Sequence, residues 1–196
     1  RILDKTPEFR EIGGNLALAI SSAFLKAFAL EEGKEVFEFL SKKPTIPIPV
    51  CNVAGGWKGQ SDIQEFLFLP LGQKSFFDSI ERISKAYLQL GKKLKEQDAS
   101  FNFGKNIESG WVTSLQSVKL LEILAELADT NFLEIGLDVA ASQLWDGKKY
   151  VYKNEVVTTS EQINMMEKLA KDYPISYIED PFNEDDFLSF STLTNR

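Results

Sequence analysis

Histidine is missing from this sequence altogether. That removes a Ser-His-Asp triad, a histidine-ligated zinc and any imidazole acid or base. There is one cysteine, Cys51, so no intrachain disulfide can form, and a reducing, cytoplasmic compartment is the expectation. Positive charge is in short supply: 22 Lys and Arg stand against 29 Asp and Glu, for a net charge of −7. A nucleic-acid partner is not expected, because phosphate backbones are held by basic surfaces. The apolar runs are broken by charge, as in "LALAISSAFLKAFALEEGKE", so neither a membrane span nor a signal peptide is expected. The chain opens on Arg1 rather than methionine and stops at "STLTNR", directly after a helical pattern, which reads as an internal fragment.

What is present is the composition of a soluble globular protein, 43% apolar and 26% charged. The stretch "GGNLALAISSAFLKAFALEEG" predicts an alanine-rich helix with apolar residues on more than one face, and therefore a well-buried one. A second helix around Glu35 to Ser41 turns Val36, Phe37, Phe39 and Leu40 inward. Then "KPTIPIPVCN" places three prolines in six positions, a pattern of domain junctions and edge strands, and sets a boundary near Lys43. Beyond it strands and helices alternate. "IQEFLFLPLG", "SFNFGKN", "FLEIGLDVAA", "KKYVYKN" and "ISYIED" predict strands, the fourth as one arm of a small hairpin. "SFFDSIERISKAYLQLGKKLKE", "SLQSVKLLEILAELAD", "SEQINMMEKLAKDY" and "NEDDFLSFSTLT" predict helices, with Ser160 and Asn183 as caps of the last two.

Such alternation predicts a parallel sheet in an α/β fold, and a doubly wound sheet and a (β/α)8 barrel both fit. Carboxylates at or near strand ends favour the barrel, whose active sites collect there: Glu65 inside one strand, Asp138 ending another, Glu179 ending a third. Roughly 150 residues remain after Lys43, against about 250 for a barrel, so the expectation is a partial one.

Asp138 and Glu179 each follow an apolar strand. Two carboxylates at one mouth repel, and a hard divalent cation such as Mg²⁺ relieves the cost; the alternative is a pair of capping or ion-paired acids at strand-helix turns. Glu65, flanked by large apolar residues, could equally point to solvent from an edge strand. Glu108 in "GKNIESGWVTS" could be an ordinary solvated loop acid. The glycine-rich "NVAGGWKGQS", with Lys58, lacks the GK[ST] of a phosphate loop.

Taken together, "GGNLALAISSAFLKA", "IPVCNVAGG", "DIQEFLFLPLG", "GKNIESGW", "IGLDVAASQLWDGKKYVYKN" and "YIEDPFNEDDF" resemble the enolase family, archaeal-type enolases most closely. The segments come in the family's order and cover nearly the whole chain. The resemblance implies residues 1–43 as the helical part of an α+β N-terminal domain, and residues 44–196 as the first part of a (β/α)8 TIM-type barrel of the enolase superfamily. It implies Mg²⁺-dependent interconversion of 2-phosphoglycerate and phosphoenolpyruvate in glycolysis, by a cytoplasmic, homo-oligomeric parent. Asp138 and Glu179 would be metal ligands. Glu65 would contact substrate and support the acid, and Glu108 would be the general acid, which needs a raised pKa. A lysine base takes the proton beside the substrate carboxylate, and the metals stabilise the enediolate, a pattern the enolase superfamily exemplifies.

Some positions depart from the family. No histidine accompanies Lys58; Ile107 replaces the acid before Glu108, and Ser109 replaces the glycine after it. The family's third metal ligand, its base lysine and its phosphate-binding arginine and serine are expected past the end of the chain, and its N-terminal sheet before Arg1. The chain alone is therefore expected to be inactive. A degenerate, non-catalytic enolase-like binding or structural protein is the rival reading; retention of all four carboxylates favours the enzyme. A different barrel lyase or isomerase of the superfamily fits "DIQEFLFLP" less well.

Overall fold

The computed structural model describes residues 4–6, 9–55, 62–72 and 75–196. The chain divides into two compact units, Arg1–Pro47 and Ile48–Arg196. In the first, helices α1 (Gly14–Glu31) and α2 (Val36–Leu40) follow each other. Contrary to expectation α1 is not well buried. Ala29 is its one buried residue, while Leu18 is 69% and Leu30 80% exposed. The sequence makes α1 apolar around its circumference, yet the helix it packs on among the described residues of this unit has only five residues. In α2, Val36 and Phe39 are half-buried, but Phe37 and Leu40 face outward.

The second unit holds β1 (Cys51–Gly55), β2 (Glu65–Pro70), α3 (Phe76–Gln97), α4 (Ser117–Asn131) and β3 (Leu133–Asp138). The hairpin β4 (Tyr150–Val151) and β5 (Val156–Val157), α5 (Thr159–Asp172), β6 (Ile175–Glu179) and α6 (Phe187–Thr194) complete it. The main sheet has the order β1-β2-β3-β6. It is mixed rather than parallel: β1 with β2 and β2 with β3 run antiparallel, and only β3 with β6 runs parallel. The connections explain this. One helix between strands returns the chain to the starting edge and gives a parallel pair, as α5 does between β3 and β6. Two helices in succession, α3 and α4, return β3 to the edge where β2 ended. No closed barrel forms among the described residues.

Two strand expectations change. "SFNFGKN" makes no strand; Lys105 forms an isolated bridge to Trp111. "CNVAG", read as the edge of a loop, forms β1 instead, because the prolines that lack ladder donors stop at Pro49. The caps shift as well. Thr158, not Ser160, caps α5 in a reciprocal box with Glu161, and Asp186, not Asn183, caps α6. A capping oxygen must sit one residue before the helix to reach the donors of its first turn.

Helices α3 and α4 pack on the sheet through stripes at helical spacing: Ile83, Ala86, Leu90 and Leu94 from α3, and Leu120, Leu121, Leu124 and Ala128 from α4. Val118, one turn before Leu121, is exposed. Phe66, Phe68, Ile135 and Leu137 meet the helices from the sheet. On the other face Gly136 lies against Leu67 and Leu69, where a Cβ would stand 2.9 Å from the Leu69 Cδ1.

Leu124 is fully buried, so Leu124→Ala is expected to cost about 2–5 kcal/mol of unfolding free energy. Leu18→Ala, on the exposed face of α1, is expected to cost less than about 0.5 kcal/mol. Denaturant titration of both variants checks this, and equal losses would contradict the burial described.

Candidate acid and metal site

Three of the four carboxylates singled out in the sequence fall in one line across the sheet. Asp138 closes β3 and Glu179 closes β6; in the parallel pair these two residues are register partners. Glu65 does not lie inside its strand as expected. It opens β2, and because β2 runs antiparallel to β3, its partner is Asp138. A strand's first residue thus joins two strands' last residues on one edge. Neighbouring strands are about 4.8 Å apart, so the side chains are close neighbours. The alternation of side chains puts Glu65 on the face of Leu67, and Asp138 on the face of Gly136.

The fourth, Glu108, arrives from the loop between α3 and α4. Asn106 organises that loop: its Oδ1 accepts the N–H of Glu108 at 3.0 Å and of Gly110 at 2.9 Å. The Tyr87 hydroxyl donates to the Ser109 carbonyl at 2.6 Å. Trp111 then joins the outer edge of β1, donating to Val53 at 3.0 Å and accepting from Gly55 at 3.1 Å. Glu108 is exposed, and its Oε2 accepts from Asn52 Nδ2 at 3.3 Å. Its carboxyl is also in hydrogen-bonding reach of Glu65. On either side of Glu108, Ile107 is 87% exposed and Ser109 adopts φ 67°, a left-handed conformation easier for glycine.

Charge accumulates here. Burial pushes the Glu65 carboxyl up to about 7, helped by the hydrogen bond to Glu108 and by the charges of Glu108, Asp138 and Glu179. Burial likewise pushes Asp138 up to about 6, with Glu179, Asp180 and Glu108 adding to it and the N–H of Ala140 working against it. The raised carboxyl that acid catalysis requires is thus found at Glu65, at the sheet edge. The Tyr177 hydroxyl donates to Glu179 Oε2 at 3.1 Å.

The turns after β3 and β6 are tied to each other, which fixes the two strand-end acids. Val139 donates to the Glu179 carbonyl at 3.0 Å, and Ala141 to that of Asp180 at 2.9 Å. Glu184 donates to Ser142 Oγ at 2.9 Å, and Asn183 to the buried Tyr150 hydroxyl oxygen at 3.0 Å. Asp138 itself braces this turn, since its Oδ1 accepts from the Ala140 N–H at 3.0 Å. That turn holds Ala140 at φ 47°, and Ala141 is completely buried beneath it. The small size of Ala141 therefore answers to packing.

Sequence reasoning missed several residues that touch the acids. Gln64 Nε2 donates to Asp138 Oδ2 at 3.4 Å, and Gln143 Nε2 donates to Gln64 Oε1 at 2.9 Å. Gln64 adjoins Glu65 in a quoted segment and could have been read with it. Asn52 lies on β1, which was not recognised as a strand. Lys58 and the rest of its loop, residues 56–61, lie outside the described residues.

Could these acids hold a metal? Among the described residues no group of three or more His, Cys, Asp or Glu is arranged to hold an ion. Asp138 and Glu179 do offer two hard oxygen donors side by side. That donor set fits Mg²⁺, which is commonly held by one or two carboxylates with water and substrate completing its shell. A cavity of about 670 Å³ lies elsewhere, between α4, the hairpin and α5, lined by Leu121, Tyr152, Met165 and Leu169 among others. None of the four carboxylates lines it.

Comparison with known proteins bears on these residues. Residues 43–196 match the family described as "Enolase, C-terminal TIM barrel domain". The enolase of Pyrobaculum aerophilum is 38% identical over 99% of this chain and 50% of its own length. That of Archaeoglobus fulgidus is 38% identical over 100% and 51%, and that of Methanosphaera stadtmanae 36% identical over 99% and 51%. The chain spans about half the length of the curated relatives it matches. The family match takes in β1 through α6 and every acid of the line across the sheet, and the chain belongs to the enolase family.

Proposed function

We propose that this chain is part of a Mg²⁺-dependent enolase that interconverts 2-phosphoglycerate and phosphoenolpyruvate. On this reading residues 44–196 are the first part of a (β/α)8 barrel, and residues 1–43 the helical part of the domain before it. A cytoplasmic, homo-oligomeric parent goes with the same reading. The observation that carries it is the alignment of Glu65, Asp138 and Glu179 across three adjacent strands. Such a row is costly for a protein that makes no use of it, because each charge raises the cost of the next.

Asp138 and Glu179 are the residues that would hold Mg²⁺. When bound, the ion supplies positive charge against the substrate carboxylate. Glu65 and Glu108 serve the other end of the reaction. Dehydration removes a hydroxyl, which leaves as water once it gains a proton. Glu65, pushed up to about 7, is partly protonated at neutral pH and so can support an acid there. Glu108, exposed and in reach of Glu65, is the general acid, and Glu65 contacts substrate beside it. The base lysine matches no motif in this chain, so turnover belongs to the full-length protein. One observation favours a non-catalytic reading instead: the exposed Ile107 and left-handed Ser109 flank the acid where the family has an acid and a glycine.

Turnover of 2-phosphoglycerate, followed through phosphoenolpyruvate absorbance, decides between these. The full-length protein is expected to be active with Mg²⁺, and the 196-residue chain alone inactive. An inactive full-length protein that folds and binds Mg²⁺ would support the non-catalytic reading.

Asp138→Asn separates the metal role from the turn-bracing role. The amide keeps an oxygen for the Ala140 N–H but loses the charge. Mg²⁺ affinity is expected to fall at least about tenfold. Without metal at about pH 8 the variant is expected to melt no lower than the parent, because a carboxyl pushed upward is destabilised in its ionised form. Calorimetric Mg²⁺ titration and thermal melts supply both readings; unchanged affinity in a folded variant removes Asp138 from the metal site.

Glu65 predicts a pH dependence. Its carboxyl is pushed up to about 7 when folded, above the roughly 4.3 of a free glutamate. The folded state holds a proton that the unfolded state releases in this window. Its stabilising contribution is fully present below the unfolded value and is lost as pH rises through the folded one. In metal-free protein the melting temperature of the parent relative to Glu65→Gln is expected to fall between about pH 5 and about pH 8. A difference that stays constant across that range would show that Glu65 titrates as it does in the unfolded chain.

A further inference from the structure

Asn52 falls within a quoted motif but was given no role from the sequence, and its side chain is held in an unusual way. It lies near the start of β1, two residues before the ladder partner of Trp111. Its Nδ2 donates to Glu108 Oε2 at 3.3 Å. Its Oδ1 is buried, and among the described residues it has no hydrogen-bond partner. A buried acceptor without a donor lowers stability. Turning the amide over would leave the burial unchanged and set an oxygen against the Glu108 carboxylate. Only the observed orientation turns a donor to the acid.

The loop is shaped around the same amide. A Cβ on Gly110 would come within 2.6 Å of Asn52 Oδ1, so any side chain there would push the amide away from Glu108. Gly110 has no positive φ, so backbone conformation does not demand a glycine at this position. The close approach of Asn52 does. The Gly110 N–H is already engaged by Asn106 Oδ1 at 2.9 Å, so it is not given to the nearby Asn52 Oδ1.

We infer that Asn52 is a positioning residue: its Nδ2–H holds the Glu108 carboxylate toward Glu65, and Gly110 is glycine so that the amide can lie there. This rests on the acid role proposed for the Glu65–Glu108 pair. Glu108 sits on an exposed loop and would otherwise sample many rotamers. The strand supplies a fixed donor that selects the one facing the sheet edge.

The deciding measurement is NMR of the protein labelled with ¹⁵N-asparagine. Glu108→Gln is expected to shift the Asn52 side-chain amide protons upfield and to speed their exchange with solvent several-fold. The backbone amides of Phe66 and Leu137 should stay in place. Asn52 side-chain signals that are the same in parent and variant overturn the inference. Gly110→Ala approaches from the other side and should release the Asn52 amide in the same way. Turnover in the full-length protein adds a second reading. Asn52→Ala is expected to lower kcat about tenfold, with KM changed less than about threefold, as for partial loss of a placed acid. Combined with Glu108→Gln it should cost nothing further; a second tenfold loss would show that Asn52 acts independently of Glu108 and would overturn the inference. Should Glu108→Gln itself leave turnover unchanged, the acid role falls, while the NMR result still decides whether Asn52 holds the carboxylate.

Discussion

The antiparallel pairing of β2 with β3 is the constraint from which the rest of the second unit follows. Its register sets Glu65 opposite Asp138, Phe66 opposite Leu137, Leu67 opposite Gly136 and Phe68 opposite Ile135. Each pair does one job. Phe66, Leu137, Phe68 and Ile135 face α3 and α4 and form the centre of the core. Leu67 fits against Gly136 because no Cβ intervenes. Glu65 and Asp138 meet at the edge. A slip of one residue would turn every phenylalanine and leucine to the opposite face, so apolar burial holds the acids in register. The charges are placed by a core that gains nothing from them.

That placement works against electrostatics. Glu65 and Asp138 are both pushed upward by burial and by their acidic neighbours. The ties beyond the strands resist this repulsion. The turn after β6 is hydrogen-bonded to the turn after β3 at Val139, Ala141 and Ser142, and it is held from below by the buried Tyr150 hydroxyl. Phe182, fully buried, fastens the same turn to the core. A frame that keeps like charges together raises the carboxyl values of those charges, as it does at Glu65 and Asp138.

The Glu108 loop is built differently. It lies outside the β2–β3 pairing and hangs on the outer edge of β1 through Trp111, with Tyr87 beneath it. The Tyr87 and Trp111 rings stack at 4.7 Å, and the Lys105 ammonium lies 4.6 Å from the Trp111 centroid. This loop therefore owes its position to an aromatic shelf and to side-chain amides. Its chemistry depends on two elements, β1 and α3, that carry no acid of the site themselves.

Much of this was legible in the residues alone. Helices α3, α4 and α5 announced themselves through apolar spacing, and β2, β3 and β6 through short apolar runs between turn residues, because period and length are local properties of the chain. The same runs placed Asp138 and Glu179 at strand ends, and motif order brought the enolase resemblance. Strand direction was not legible. Glu65 looked embedded in its strand, and only the two-helix connection, which makes β2 antiparallel, brings it opposite Asp138. The burial of α1 was misjudged because an apolar sequence states what a helix can bury, while the surrounding elements decide what it does bury. Asn52, Gln64 and Gln143 carry no signal of their own: an amide acquires a role only from the group it faces. The sequence by itself determined which segments are helical or extended and which acids end strands, since these follow from neighbours along the chain. The tertiary structure decided which acids meet and which are pushed upward, since distance and desolvation arise only once separate strands are packed side by side.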